Sequence, residues 1–163
     1  MTDVQNATSN TVVVGVDGSG SSLEALELAA GYAAAFSLKV RAVSAYHYPV
    51  DYGYAYALPA DIDFAADARK QLLANVAEAQ AKFPTVEFES EIVNSSPAAA
   101  LIEDSKNAAL LVVGSRGHGG FTGMLLGSVS TSAVTHAHCP VVVIRELGHS
   151  PAPGTADEGG ARS

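Results

Sequence analysis

The chain has 163 residues, 48% of them hydrophobic and 16% charged, which is typical of one globular domain and not of a wholly disordered chain. Its formal net charge is −8, from seventeen acidic and nine basic residues. Nucleic-acid binders need clustered Lys and Arg, so this composition argues against that class. A polyanion would have to be held locally, by backbone N–H groups.

Cysteine occurs once, at Cys139, so an intrachain disulfide framework is excluded and a reducing compartment is favoured. The opening MTDVQNATSN lacks a basic region, and we therefore expect no signal peptide. No uninterrupted apolar run is long enough to cross a bilayer. Together these features predict a cytoplasmic protein with no membrane partner.

In chain order, TVVVGVD predicts a buried strand over residues 11–17, followed by a turn at GSGSS and a helix over 22–36. LKVRAVSAYHY predicts a second strand over 38–48, and the Tyr-, Gly- and Pro-rich segment after it a loop over 49–59. The face of the first helix expected to pack consists of Leu23, Leu26, Ala30, Ala33 and Ala34. The candidate N-caps are Ser19, Ser21 and Ser22.

The second half repeats this alternation. Helical spacing predicts a helix over 61–82, and alternating apolar and acidic residues predict a strand near a sheet edge over 86–93. A Ser cap and a first-turn Pro start the next helix. The remaining predicted elements are a helix over 95–107, a buried strand over 108–114, a helix over 128–138 and a strand over 140–145.

Five strands alternating with four helices predict an α/β fold, an open parallel five-stranded sheet with helices on both faces. The polar start predicts a flexible tail over 1–10, and the Gly-, Pro- and Ala-rich end predicts a disordered tail over 147–163. The domain is then expected over 11–146.

The most specific pattern is Gly114-x2-Gly117-x9-Gly127-Ser128, which starts where a buried strand ends. It is neither a Walker A loop nor the dinucleotide glycine fingerprint. Ligands of open α/β sheets bind beyond the carboxyl ends of the strands, and the helix predicted from Ser128 would point its free N–H groups at that place. The pattern therefore favours a phosphate site. The alternative is a surface loop in which the glycines only make turns.

With the segments VVGVDGS, SSP, LLVVGSRG, LLGSVS and CPVVVIR, this spacing resembles the universal stress protein family, ATP-binding subclass, over residues 10–146. The resemblance implies a Rossmann-like sheet in the order 3-2-1-4-5. It also implies a nucleotide-dependent stress-response module and a homodimer formed through strand 140–145, an apolar edge that would otherwise invite association.

The resemblance also implies a set of ligand contacts. Asp17 would lie beside ribose and adenine, and Val16 and Ala45 would line the adenine pocket. A divalent cation, Mg²⁺, would bridge the phosphates of ATP. The residues implied for ribose and phosphate are Gly114, Gly117, Gly127, Ser128 and the Val129 amide, with Arg116 and Met124 as weaker candidates. Relatives carry a glycine where this chain has Ser95, so we leave the start of the third predicted helix out of the site.

Three functions remain open: an ATP-binding module without catalysis, a weak Mg²⁺-dependent ATP hydrolase, and a cyclic AMP-binding protein using the same site. His118 is the only candidate general base near the γ-phosphate. Asp17 could instead cap a turn. His136, His138 and Cys139 fit no zinc-ligand spacing, and we expect Cys139 to be a buried small apolar side chain.

Overall fold

A computed structural model describes residues 9–46, 63–116 and 125–145 of the chain. The predicted alternation of strands and helices is confirmed there. The elements in chain order are β1 (Thr11–Gly15), α1 (Gly20–Phe36), β2 (Lys39–Ala45), α2 (Phe64–Lys82), β3 (Phe88–Val93), α3 (Pro97–Ser105), β4 (Leu110–Gly114), α4 (Ser128–His136) and β5 (Val141–Ile144). The two predicted tails and the loop predicted over 49–59 lie almost wholly outside the described residues.

The strands form one parallel sheet in the order β3-β2-β1-β4-β5. The α/β fold class and the strand order implied by the resemblance are therefore confirmed. The order reverses between β1 and β4, so the connections after these two strands leave in opposite directions. That point is where an open α/β sheet offers a crevice for a ligand.

Alternate residues of the strands face two separate cores because successive side chains point to opposite faces of a sheet. Val12, Val14 and Val112 pack under α1 and α2. Val13 and Val113 pack on the other face, under α3 and α4. The layers are thus two helices, the sheet, and two helices. None of the described helices is both long enough and apolar enough to span a membrane.

The start of α1 is two residues earlier than the sequence predicts. Gly18, with a φ of +83°, turns the chain after β1. Ser19 is then the N-cap, and its side chain accepts a hydrogen bond from the Ser22 amide. Ser21 and Ser22 lie inside the helix and are buried. Of the three candidate caps, Ser19 is therefore the one used.

The packed face of α1 is only partly as predicted. Ala25, Ala29 and Ala33 are buried with Leu26 and Ala30, whereas Leu23 lies in the groove between α1 and α2 and stays partly exposed. An alanine-rich helix offers several faces of nearly equal hydrophobicity, so periodicity alone could not select the buried one.

The two edges of the sheet differ in chemistry. On the edge strand β3, Glu89 and Glu91 lie on the α3 face beside Lys39 and Arg41 of β2. Arg41 also bonds Asp104 of α3, with Nε 3.0 Å from Oδ2. These five side chains, named here the ion-pair cluster, cover a part of the sheet that α3 only borders. The opposite edge, β5, consists of four half-buried apolar residues.

Candidate functional site

A cleft of about 100 Å³ opens at the carboxyl ends of β1, β2 and β4, where the strand order reverses. Its walls are mostly apolar, and its two charged residues among those described are Asp17 and Arg116. The lining residues are Gly15, Val16, Asp17, Ser22, Val43, Ala45, Pro97, Leu101, Val113, Gly114, Arg116 and Val129.

Most of the predicted site residues within the described ranges meet in this cleft. They are Val16, Asp17, Ala45, Gly114, Arg116 and Val129. Gly127 and Ser128 form the start of α4 immediately before Val129 but do not line the cleft. Gly117 and Met124 lie outside the described residues, as does His118.

Asp17 lines the cleft and also shapes the turn that follows β1. Its Oδ1 accepts hydrogen bonds from the Ser19 amide at 2.9 Å and from the Ser19 hydroxyl at 2.5 Å. Since Ser19 caps α1, the carboxylate fixes both the turn and the helix start. The turn cap considered from the sequence is therefore present, and Asp17 also lines the cleft, while its contact with ribose and adenine remains a prediction.

Gly114 ends β4 against the first turn of α1. A Cβ atom there would lie 2.4 Å from the Ser21 Oγ and 2.9 Å from the Ser21 carbonyl carbon. Both distances are too short for a Cβ contact, and the second one is to a backbone atom, which cannot turn away as a side chain can. The resemblance implies that Gly114 contacts ribose and phosphate, but packing against α1 already requires a glycine here.

Beyond Gly114, hydrogen bonds fix the chain that leaves β4. The Ser115 amide donates to the Ile144 carbonyl at the end of β5, at 2.7 Å. The Ser115 carbonyl accepts from the Gly127 amide at 2.7 Å and from the Ser130 hydroxyl at 3.0 Å. The Arg116 carbonyl accepts from the Ser21 hydroxyl at 2.7 Å. The backbone of Arg116 is thus held while its exposed side chain borders the cleft.

The start of α4 resembles an anion site in its backbone chemistry. Gly127 is the N-cap, and no side chain among the described residues bonds to the first-turn amides as a cap. Its φ of −77° is available to any residue, so the fold does not need a glycine for backbone conformation here. The first-turn N–H groups and the helix dipole make this end favourable to a negative group.

Two cleft residues from α3, Pro97 and Leu101, were not predicted. The start of this helix is left out of the predicted site because of Ser95, but Pro97, the first residue of α3, borders the cleft. Leu101 is buried, and a Cβ on Gly15 would lie 2.9 Å from its Cδ1. The first-turn proline after a strand end was a usable indication for Pro97, whereas Leu101 is placed only by packing.

Metal ligands are not grouped in the described part of the chain: no three His, Cys, Asp or Glu side chains there could share an ion. Cys139 is half-buried rather than buried and packs on the core under α3 and α4. Burial raises the pKa of its thiol. A divalent cation at the cleft would therefore have to bring ligands of its own, such as phosphate oxygens.

The fold and the cleft define a doubly wound α/β domain whose cleft lies at the point where the strand order reverses. The model of the universal stress protein family matches residues 8–145. The chain therefore belongs to the universal stress protein family.

Curated relatives are universal stress proteins of mycobacteria. One from Mycobacterium tuberculosis is 38% identical over 138 residues, which cover 83% of this chain and 45% of the relative. One from Mycolicibacterium smegmatis is 46% identical over 77 residues, which cover 47% of this chain and 26% of the relative. This chain spans less than half the length of these relatives.

Among solved structures, a universal stress protein in complex with cAMP is 32% identical, with a TM-score of 0.63, over 83% of this chain and 95% of that one. A universal stress protein from Archaeoglobus fulgidus in complex with dAMP has a TM-score of 0.55 and 22% identity, covering 82% of this chain and 96% of the other. The second likeness supports the fold only.

Proposed function

We propose that this chain binds an adenine nucleotide in the cleft and acts as a nucleotide-dependent regulatory module in the cytoplasm. The observation that carries the proposal is the composition of the cleft. Apolar walls from Val16, Val43 and Ala45 suit a flat base, while Arg116 and the start of α4 suit phosphate. Asp17, two residues after β1, suits a ribose hydroxyl.

ATP with Mg²⁺ is the proposed ligand. One guanidinium and a helix start cannot neutralise three phosphates, so a cation bound through the phosphates themselves completes the charge balance. The Gly114-x2-Gly117-x9-Gly127-Ser128 spacing supports the triphosphate. The similarity to a protein solved with cAMP makes the cyclic nucleotide the second candidate. Both would share the base and ribose contacts and differ at Arg116 and α4.

Mass spectrometry of the small molecules released from freshly purified protein tests this proposal, together with calorimetric titration of ATP, with and without Mg²⁺, and of cAMP. We expect an adenine nucleotide and saturable binding. Gly127→Leu should weaken binding by more than about tenfold, or about 1.4 kcal/mol. Gly31→Ala is the matched control, since a Cβ there makes only ordinary contacts with Phe83 at 3.7 Å. Protein that binds neither nucleotide would contradict the proposal.

The proposed role is binding rather than turnover. Asp17 is the one carboxylate among the described residues lining the cleft, and its Oδ1 is already occupied by Ser19. Efficient hydrolysis would need a base in reach of an attacking water. Steady-state phosphate release from Mg²⁺-ATP should therefore stay at a slow basal rate, and rapid turnover would make the chain an ATP hydrolase instead.

We further propose that the chain forms a homodimer through β5. The carbonyls of Pro140 and Ile144 bond to β4, so the alternating backbone groups of Val141 and Val143 point to the open edge. Exposed Leu28, Tyr32 and Phe36 lie along the flank of α1 away from α2, and α1 reaches β5. An unpaired apolar edge beside an apolar flank favours association with a second copy.

Sedimentation of the full chain tests the dimer, and the expected mass is that of two chains. Val143→Pro removes an outward N–H without removing a bond to β4, so it should give the mass of one chain. Ser90→Pro removes an outward N–H from the other edge, β3, and should leave the dimer intact. A wild-type chain that sediments as a monomer would refute this assembly.

A further inference from the structure

Two buried serines hold the chain at the exit of β4. Ser21, the second residue of α1, is 0% exposed, and Ser130, the third residue of α4, is 1% exposed. The Ser21 hydroxyl donates to the Arg116 carbonyl, and the Ser130 hydroxyl donates to the carbonyl of the preceding residue, Ser115. These two side chains are named here the serine pair.

The serine pair acts from both sides of the sheet. α1 packs on one face and α4 on the other, so two consecutive carbonyls are each bonded by the first turn of a different helix. The Ser115 carbonyl also accepts from the Gly127 amide, which joins the exit of β4 to the start of α4. The backbone of Arg116 and the N-terminus of α4 are therefore held relative to each other.

We propose that Ser21 and Ser130 are positioning residues for nucleotide binding. They fix the Arg116 backbone and the first turn of α4 in the arrangement that a phosphate group needs, without touching the ligand. This inference rests on the proposed function, since Arg116 and α4 are its phosphate contacts. Preorganised donors bind an anion without first having to be ordered, so loosening them should weaken binding.

Ser105 provides a matched control. It is also buried, at 1% exposed, and its hydroxyl donates to the Ile102 carbonyl at 2.6 Å and accepts from the His138 amide at 2.9 Å. It is the last residue of α3, and its partner His138 lies just before β5, near the strand starts and not at the strand ends that border the cleft. Ser105→Ala therefore removes a buried hydroxyl of the same kind without affecting the exit of β4.

The experiment compares Ser21→Ala, Ser130→Ala and Ser105→Ala in the full chain by calorimetric titration of ATP and cAMP and by thermal unfolding. All three variants should lose stability, because each removes a buried hydroxyl together with the hydrogen bond that it donates to a backbone carbonyl. Ser21→Ala and Ser130→Ala should also weaken nucleotide affinity by about tenfold, whereas Ser105→Ala should stay within about twofold. If Ser21→Ala and Ser130→Ala both keep wild-type affinity, or if Ser105→Ala weakens nucleotide affinity as much as they do, the positioning role is refuted.

Amide hydrogen exchange separates this inference from the proposed function. The Ser115 amide donates to the Ile144 carbonyl, and the Gly127 amide donates to the Ser115 carbonyl, at the exit of β4. Hydrogen exchange of both amides should therefore accelerate in Ser21→Ala and Ser130→Ala but not in Ser105→Ala. If the wild-type chain binds neither nucleotide, the proposed function fails. Exchange then decides about the serine pair by itself, and unchanged rates at Ser115 and Gly127 would overturn its positioning role.

Discussion

Two polar clusters in this domain differ in how they are built. The groups at the exit of β4 are uncharged hydroxyls, amides and carbonyls, and Ser21 and Ser130 among them are buried. The ion-pair cluster on β2 and β3 consists of side chains that are about one quarter to two fifths exposed. Neutral groups can be buried at little cost when each has a partner, whereas charges are best paired where water still reaches them.

The difference has a consequence for the cleft. Arg41 forms ion pairs with three carboxylates, but Arg116 forms no ion pair with any of the described residues. Neutral groups hold only the backbone of Arg116. Since its guanidinium has no ion-pair partner among the described residues, it is available for an anion. We therefore expect that substitutions at the exit of β4 affect packing and ligand binding. Substitutions in the ion-pair cluster should affect stability alone.

Gly114→Ala should have the largest effect. Its methyl group would collide with the Ser21 backbone as well as with Oγ, so α1 or β4 must shift, and we expect a loss of about 3 kcal/mol in the free energy of unfolding. Gly15→Ala is the control, because its methyl would meet the end of the Leu101 side chain, which can move, and should cost about 1 kcal/mol. Urea unfolding measures both, and equal losses would show that contact with the α1 backbone is not decisive.

Arg116→Gln should leave the free energy of unfolding nearly unchanged and weaken nucleotide binding by about tenfold, since a charge-assisted contact with phosphate is lost. The weakening of wild-type binding by added salt should also become shallower. Lys82→Gln is the control, because it also removes one positive charge but does so at the last residue of α2, away from the cleft. Calorimetry at two salt concentrations measures both variants. Equal affinities of Arg116→Gln and wild type would assign phosphate binding to the backbone amides alone.

The sequence predicts the elements of this fold well because strand and helix periodicities are local. It fails at the start of α1, where the hydrogen bonds from Ser19 to the Asp17 carboxylate decide which serine caps the helix. Several equivalent serines in a row cannot be ranked without that geometry.

The candidate site shows the same limit. Val16, Asp17 and Ala45 could be placed near the cleft through resemblance because each lies at or just after the end of a recognisable strand. Leu101 could not, since it reaches the cleft only through its packing beside Gly15. The close contact between Gly114 and Ser21 joins residues more than ninety positions apart and has no local pattern.

Arg41→Ala tests the other cluster. It leaves Asp104, Glu89 and Glu91 close together with only Lys39 to balance them, and it removes the packing of the Arg41 stem. Partly exposed ion pairs contribute a few tenths of a kcal/mol each, so we expect a loss of about 1 kcal/mol in the free energy of unfolding and no change in nucleotide affinity. Lys106→Ala breaks the more exposed pair with Glu103 and should cost less. A change in affinity in Arg41→Ala would show that the two clusters are coupled.

The smallest predicted effect is a dependence of stability on pH. The hydrogen bond from Lys39 lowers the pKa of Glu89 below 4.5. A carboxylate whose pKa is lower in the folded state stabilises the fold above its unfolded pKa, and this contribution disappears as the pH falls through the folded value. The free energy of unfolding of wild type should therefore exceed that of Glu89→Gln by a few tenths of a kcal/mol at pH 7, and the gap should shrink below about pH 4.5. Urea unfolding over this range measures the gap.

In a Lys39→Met background the same substitution should show a smaller gap at pH 7, because the main partner is gone. A gap that stays constant down to pH 3 would mean that Glu89 contributes through packing and not through its charge.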